Sequence, residues 1–221
     1  MKLKPAFTRV NKYIFDPKAW SWSLPSGWSC PGAKECLAKA DRATGKVTAG
    51  PEAEFKCYSA TYERFPSVRE RLWTNFEAVK GETTLGVVEQ LEKAKPKNMT
   101  MCRIHTAGDF FSWNYFQGWM EFITANPQIH FWAFTKSLGL WVNWVEKHGS
   151  FPPNLEMNAS HGGKLDHLIA VHGMKSARVV YSRQEAHDLG LKIDTDDRLA
   201  AQPGPSFALL ENFTKQKSDG Q

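Results

Sequence analysis

Three of the chain's four cysteines, Cys30, Cys36 and Cys57, fall in a Gly/Pro-punctuated segment just after a Trp-rich apolar run. The segment reads Ser29-Cys30-Pro31-Gly32-Ala33-Lys34-Glu35-Cys36, then a polar stretch, then Phe55-Lys56-Cys57-Tyr58. Thiolates gathered on a loop of a chain with cytoplasmic character more often hold a metal or cluster than form disulfides. Three such ligands with no close fourth describe a site with one position left open for chemistry. Soft thiolates suit both iron–sulfur clusters and zinc. Structural zinc prefers four protein ligands in close pairs such as C-x2-C, and neither the pairs nor a nearby fourth cysteine is present. The donor set therefore points to an iron–sulfur cluster on Cys30, Cys36 and Cys57, against the plain alternative of ordinary reduced thiols. Cys102 stands apart, seven residues before Asp109; at about 3.3 Å per residue that is roughly 20 Å along a strand. It reads as a buried core thiol.

The elements that must position these cysteines follow a repeating rhythm. Residues 19–24 alternate apolar and polar and read as a strand ending at Pro25. Turns are expected at Asp41–Lys46 and Gly50-Pro51, and helices over about 58–79 and 82–95. A strand at 99–108 leads to a helix at 112–125, which Asn126-Pro127 ends. The pattern recurs as strand 129–135 and helix 138–148, strand 155–159 and helix 163–172, and strand 177–182 and helix 183–189. Alternation of this kind means βα units on a parallel sheet. The expected fold is α/β, a partial, TIM-like parallel barrel of about five or six strands. It reads as a single domain over 1–221. Residues 20–60 carry the cysteine-bearing first strand and loop, 96–190 the βα repeats, and 206–221 a last strand and frayed tail.

In parallel α/β architectures, sites collect at the carboxyl ends of strands. Here those ends are polar: the cysteine loop, then His105 to Asp109, Thr135-Lys136-Ser137, Asn158 to Gly163, and Ser182-Arg183. Asp109, Lys136, Asn158 and Ser160 are therefore the candidate ligand-binding residues on the cysteine rim. Asp109 suits an ammonium and Lys136 a carboxylate. His105 and Asp109, two alternations apart on one strand face, are candidates for the fourth cluster ligand beside Cys102 or an exogenous group; Asp109 equally suits the cap of the following helix. Ser160 to Gly163 before a helix has the makings of an anion-cradling turn. His167 and His172 read as surface residues, and Asp194, Asp196 and Asp197 as a solvated acidic loop rather than a cation site.

The bulk numbers describe an ordinary globular chain of 221 residues, 42% hydrophobic and 23% charged. No run approaches the roughly 18 apolar residues of a membrane helix, so no membrane is expected as a partner. The amino-terminal Met1-Lys2-Leu3-Lys4-Pro5 lacks a secretory pattern, and the expected location is the cytoplasm. The net charge of +5 rests on scattered basic residues, so nucleic-acid binding is expected to be weak and salt-sensitive. Most of the nine tryptophans sit in amphipathic or buried patterns and read as core.

Several stretches together carry a specific resemblance. Cys30-Pro-Gly-Ala, Phe55-Lys-Cys57-Tyr, Phe65-Pro-Ser-Val-Arg69, Arg103-Ile-His-Thr-Ala-Gly-Asp-Phe-Phe111, Phe134-Thr-Lys-Ser137, Gly162-Gly-Lys-Leu-Asp-His-Leu168 and Asp194-Thr-Asp-Asp197 resemble a phage family. That family is named after gene product eighty-eight of a mycobacteriophage, and the likeness runs from about residue 20 to 210. It implies a phage-encoded protein at work in the cytoplasm of a bacterial host. A second resemblance concerns chemistry: the order strand, cysteine loop ending in Cys-Tyr, helix, then a strand ending in Gly plus an acid is similar to radical S-adenosylmethionine (SAM) enzymes. It implies that Cys30, Cys36 and Cys57 hold three irons of a [4Fe–4S] cluster, that SAM takes the fourth, and that Gly108-Asp109 reads the SAM amino group. The spacing departs from that family, with five and twenty residues between successive cysteines where the pattern has three and two. The alternative is a non-enzymatic or nucleic-acid-acting accessory protein with a structural cluster or zinc.

Overall fold

The computed structural model describes residues 3–10 and 14–211. The chain opens with β1 (Thr8–Arg9), β2 (Trp20–Trp22), β3 (Ala38–Ala40), β4 (Val47–Ala49), α1 (Tyr58–Tyr62), α2 (Pro66–Val79) and α3 (Thr84–Ala94). The βα units follow: β5 (Met101–Ile104), α4 (Trp113–Ala125), β6 (His130–Thr135), α5 (Leu138–His148), β7 (Leu155–Ser160), α6 (His167–Val171), β8 (Ser176–Val180) and α7 (Arg183–Asp188). Two short strands close the description, β9 (Lys192–Ile193) and β10 (Phe207–Leu210).

One eight-stranded sheet runs in the order β1-β2-β5-β6-β7-β8-β10-β9, and every pairing in it is parallel except that of the edge strand β1 with β2. From β2 to β8 each new strand lies beside the one before it. With right-handed crossovers, such an order sends every connecting helix to the same face. The burial pattern agrees. Trp22, Cys102, Ile104, Phe131, Ala133, Leu155 and Met157 face α2 to α5 in one aromatic-rich core. The alternate residues Trp132, Ala177 and Phe207 face the other way, where Val10, Ile14, Ala200 and Ala201 cover them. The tryptophans follow the expectation for the most part: Trp22, Trp119, Trp132 and Trp144 are buried, while Trp28 stays exposed.

Local chemistry explains the boundaries. Ser112 and Thr83 accept hydrogen bonds from Tyr115 N and Gly86 N and so start α4 and α3. Gly149, at φ 80°, ends α5. The single helix expected over 58–79 is broken into α1 and α2 because Pro66 starts a new first turn. The strand expected over 99–108 ends at Ile104, since His105 adopts a left-handed φ of 63°. The helix expected over 163–172 shrinks to α6, because Gly162 and Gly163 form a turn closed by Asp166. The β10 strand confirms the apolar run after Ser206; the tail expected beyond it lies outside the described residues from 212 on. Among the described residues no helix is long and apolar enough to cross a membrane.

Candidate cysteine-rim site

The twenty residues between Cys36 and Cys57 fold into a return path. β3 and β4 pair antiparallel around a turn in which Asp41 accepts from Thr44 N (2.7 Å) and Gly45 sits at φ 75°. Gly50 N donates to Leu37 O, and Glu54 N to Glu35 O, at 2.7 and 2.8 Å. The hairpin thus carries the chain out and brings residues 54–57 back beside residues 35–36. Arg69 of α2 fastens it, donating to the carbonyls of Arg42 (2.8 Å), Ala43 (3.1 Å) and Glu63 (2.6 Å).

The loop is docked on the carboxyl ends of the sheet by glycine contacts. A Cβ at Gly32 would stand 2.1 Å from the Lys136 carbonyl oxygen, and one at Gly108 would stand 2.5 Å from Ser29 Oγ. Lys34 N and Glu35 N donate to Gly162 O, Lys164 N donates to Gly32 O, and Ala33 bridges Gly163. Gly108 and the Gly162-Gly163 turn therefore serve to seat the cysteine loop. The anion-cradling reading of that turn is corrected: its two N–H groups already donate to the Asp166 carboxylate at 2.8 Å each.

Cys30, Cys36 and Cys57 are half-buried and free of disulfides. Burial pushes the Cys30 thiol well up, with Asp109 and the other two cysteines adding to it. Burial also raises Cys36, while the Lys136 ammonium beside it pulls the other way. Gly27 N donates to Cys30 Sγ at 3.3 Å, and Ser59 Oγ lies 3.2 Å from Cys57 Sγ. Among the described residues no three Cys, His, Asp or Glu side chains stand at ligand spacing. The donor chemistry nonetheless fits a thiophilic cationic group: three thiols on one rim, two of them already hydrogen-bonded at sulfur. Cys102 is fully buried in the sheet core, apart from this rim, as expected.

Three of the four predicted pocket residues form a row. Asp109, buried in the loop after β5, accepts from Thr135 Oγ1 (2.6 Å), Lys136 N (2.8 Å) and Phe110 N (2.7 Å). Burial raises its carboxyl, opposed by those donors. It does not cap α4, whose cap is Ser112. Lys136, at the end of β6, is buried too and donates to Ser160 Oγ at 2.6 Å. Asn158 is not in the row. It lies two residues before Ser160 on β7, short of the rim, where its amide donates to Ala133 O and Ala200 O while Oδ1 has no partner among the described residues.

His105 departs from expectation. Its left-handed backbone breaks the strand alternation and turns the ring into the same core as Cys102, against Phe110, Tyr115 and Trp119. Nε2 lies 2.8 Å from Tyr115 Oη, and burial lowers its pKa to about 3. It is a neutral core histidine and faces away from the thiols. The acidic loop is corrected as well. Asp194 and Asp197 are buried, and Asp197 pairs with Arg103 of β5 (3.0 Å) and accepts from Trp132 Nε1 (3.0 Å). His167 and His172 are exposed, as expected.

Beside the loop, a cleft of about 210 Å³ is lined by Glu35, Glu54, Phe55, His161, Arg178 and Tyr181, among others. It flanks Cys36 and Cys57 from the β7–β8 side, and the row of Asp109, Lys136 and Ser160 does not line it. Sequence reasoning missed this cleft, the hairpin and Tyr58, whose hydroxyl donates to Thr106 O at 2.8 Å and links the loop to β5. Two residue pairs far apart in sequence, 36 with 57 and 54 with 178, define these features, and no local pattern signals them.

A relative from Mycobacterium phage L5, described as "Gene 88 protein", is 34% identical over 119 residues, covering 52% of this chain. The alignment takes in 47% of that relative, so the chain spans about half its length. No solved structure matches. The family described as "Gene product 88" matches residues 3–220, nearly the whole chain and every residue of the cysteine rim. The chain belongs to the Gene product 88 family.

Proposed function

We propose that this protein holds a [4Fe–4S] cluster through Cys30, Cys36 and Cys57 and uses its open position for radical SAM-like chemistry. The observation that carries the reading is the return of Cys57 to Cys36 by the β3–β4 hairpin, on the rim where Asp109, Lys136 and Ser160 follow one another. Sequential parallel strands with all helices on one face support the partial-barrel reading, whose carboxyl rim is the customary place for a site.

The chain's own residues have defined parts. Gly27 N–H donates to the Cys30 sulfur and favours its thiolate. The charge of the nearby Lys136 ammonium favours the Cys36 thiolate. Asp109 spends three of roughly four carboxylate lone-pair positions on the protein, and Lys136 spends one of its three N–H donors on Ser160. One acceptor position and two donors remain, a set that complements the ammonium and carboxylate of an amino-acid-like ligand such as SAM. The group itself, when bound, supplies one electron to such a ligand. The competing reading, an accessory protein with a closed structural cluster or zinc, fills the fourth position with protein.

Protein purified without oxygen is expected to be brown, with iron and sulfide in near-equal amounts. Cys30→Ala, Cys36→Ala and Cys57→Ala each bleach it, and Cys102→Ala does not. Added SAM is expected to change the paramagnetic resonance spectrum of the reduced protein and to yield deoxyadenosine. Stoichiometric zinc in a colourless protein would sink the cluster. An unchanged spectrum with no deoxyadenosine, from a brown protein, leaves the accessory reading.

A further inference from the structure

The cleft of about 210 Å³ beside the cysteine loop has two walls that differ in charge. One wall is the loop itself, with Glu35, Glu54 and Phe55, which stand just before Cys36 and Cys57. The other is β8 and the residues that follow β7 and β8, with Arg178, Tyr181 and His161. Glu54, Arg178 and Tyr181 are exposed, so the cleft is open to solvent. Glu35 is half-buried over Gly162, where an added Cβ would lie 2.9 Å from its Oε2.

The fold has committed some of the cleft's polar groups and left others. The two Asp166 oxygens accept from Gly162 N and Gly163 N at 2.8 Å each. Glu185, in the first turn of α7, accepts from Tyr181 N at 2.8 Å. His161 is neutral at pH 7, because burial and then the Arg178 charge lower it from the ordinary 6.5, and its Nε2 lies 3.2 Å from Ser176 Oγ. Three charges remain. Among the described residues neither the Glu35 nor the Glu54 side chain has a hydrogen bond or an ion pair, and Arg178 meets only His161 Nδ1, at 3.5 Å. Two carboxylates and one guanidinium thus share a cleft and stand too far apart to pair with each other.

The complement of that set is a small molecule with two cationic groups and one carboxylate. The rings of Phe55 and Tyr181 supply apolar faces for an alkyl stem and π-faces for a cation. Burial and the carboxylates of Glu211, Glu54, Glu185 and Glu35 raise the Tyr181 hydroxyl, which keeps its proton and can donate beside them. At roughly 30 Å³ per water the cleft has room for about seven waters, enough for a metabolite and too little for a folded segment. We infer that this cleft binds a basic α-amino acid, lysine or arginine, with its carboxylate on Arg178 and its two cationic groups on Glu35 and Glu54. The inference concerns binding alone and does not depend on a cluster.

The test is isothermal titration calorimetry of the full chain with L-lysine and L-arginine. Three further probes each lack one charge: L-norleucine has no side-chain cation, and cadaverine and agmatine have no carboxylate. At least one of the two amino acids is expected to bind, with the three probes about tenfold or more weaker for want of one charged hydrogen bond. Arg178→Met is expected to weaken the amino acid by a similar factor and to leave cadaverine and agmatine where they were. Glu35→Gln and Glu54→Gln are each expected to weaken the amino acid and the diamines alike. Far-ultraviolet circular dichroism checks that the variants keep their fold, and Glu54 and Arg178 are exposed enough to be replaced without disturbing the core. Failure of both amino acids to bind, diamines that bind as tightly as the amino acid, or an affinity unmoved by Arg178→Met or by both glutamate substitutions overturns the site.

Discussion

His105 shows how far one backbone angle reaches. At φ 63° a non-glycine residue turns its side chain to the face that strand alternation denies it, and the ring is held among Phe110, Tyr115 and Trp119. Its only ring hydrogen bond is to Tyr115 Oη, and Nδ1 has no partner among the described residues. Because burial takes its pKa from 6.5 to about 3, the unfolded chain binds a proton across that window and the folded one does not. Stability is therefore complete above pH 6.5 and falls as pH drops toward 3, by at most about 1.4 kcal/mol per unit. Urea melts at pH 7 and pH 5 should show that slope, and His105→Gln, which keeps a donor for Tyr115, should flatten it. Equal slopes in both proteins would refute the assignment.

At the scale of elements, the cysteine loop is held by shape. Gly32 lies on the Lys136 carbonyl, so Gly32→Ala forces the loop off β6 at a cost of roughly 1–3 kcal/mol. The variant should keep its far-ultraviolet circular dichroism and lose most of its bound iron; full iron retention would mean that the loop is not seated as described. The hairpin depends on Arg69, whose guanidinium serves three carbonyls within 3.1 Å. Lysine has no planar fork to reach them together. Arg69→Lys is expected to destabilise by about 2–3 kcal/mol and to speed proteolysis within residues 38–49. Unchanged cleavage there would argue that β3–β4 holds itself.

Across the whole molecule, the face opposite the helices is closed by the chain's own segments. Phe15 N donates to Asp196 O, and Asn158 reaches Ala200 O. Between them Arg103 pairs with Asp197 and packs on Phe134, with its centre 5.1 Å from the ring. Removing one partner of a buried pair strands the other. Asp197→Leu alone should cost about 3–5 kcal/mol, while Arg103→Met with Asp197→Leu should recover much of it. Because the pair is shielded, its contribution should change little with added salt. A double variant as unstable as the sum of the two singles would mean that the pair is not coupled.

The sequence by itself determined the family, the strand–helix alternation from β5 to α7, and the choice of thiols that share a rim. Those features rest on local signals: periodic apolar faces, capping serines, glycine stops and motif residues, each legible within a dozen positions. It also placed Asp109, Lys136 and Ser160 together, because carboxyl ends of successive parallel strands must meet on one edge. Tertiary structure decided the rest. The wide gap between Cys36 and Cys57 closes only through pairing of Leu37 with Gly50 and Glu35 with Glu54. Asn158 stays out of the row because it lies two residues before Ser160 on β7, away from the carboxyl rim, where its amide is taken up by Ala133 O and Ala200 O. The acidic 194–197 stretch, polar enough to read as solvated, is buried because Arg103 and Trp132 supply its partners from strands 65 and more residues away. Hydrogen-bond and charge partners so distant leave no mark on local composition, so only the folded chain could assign them.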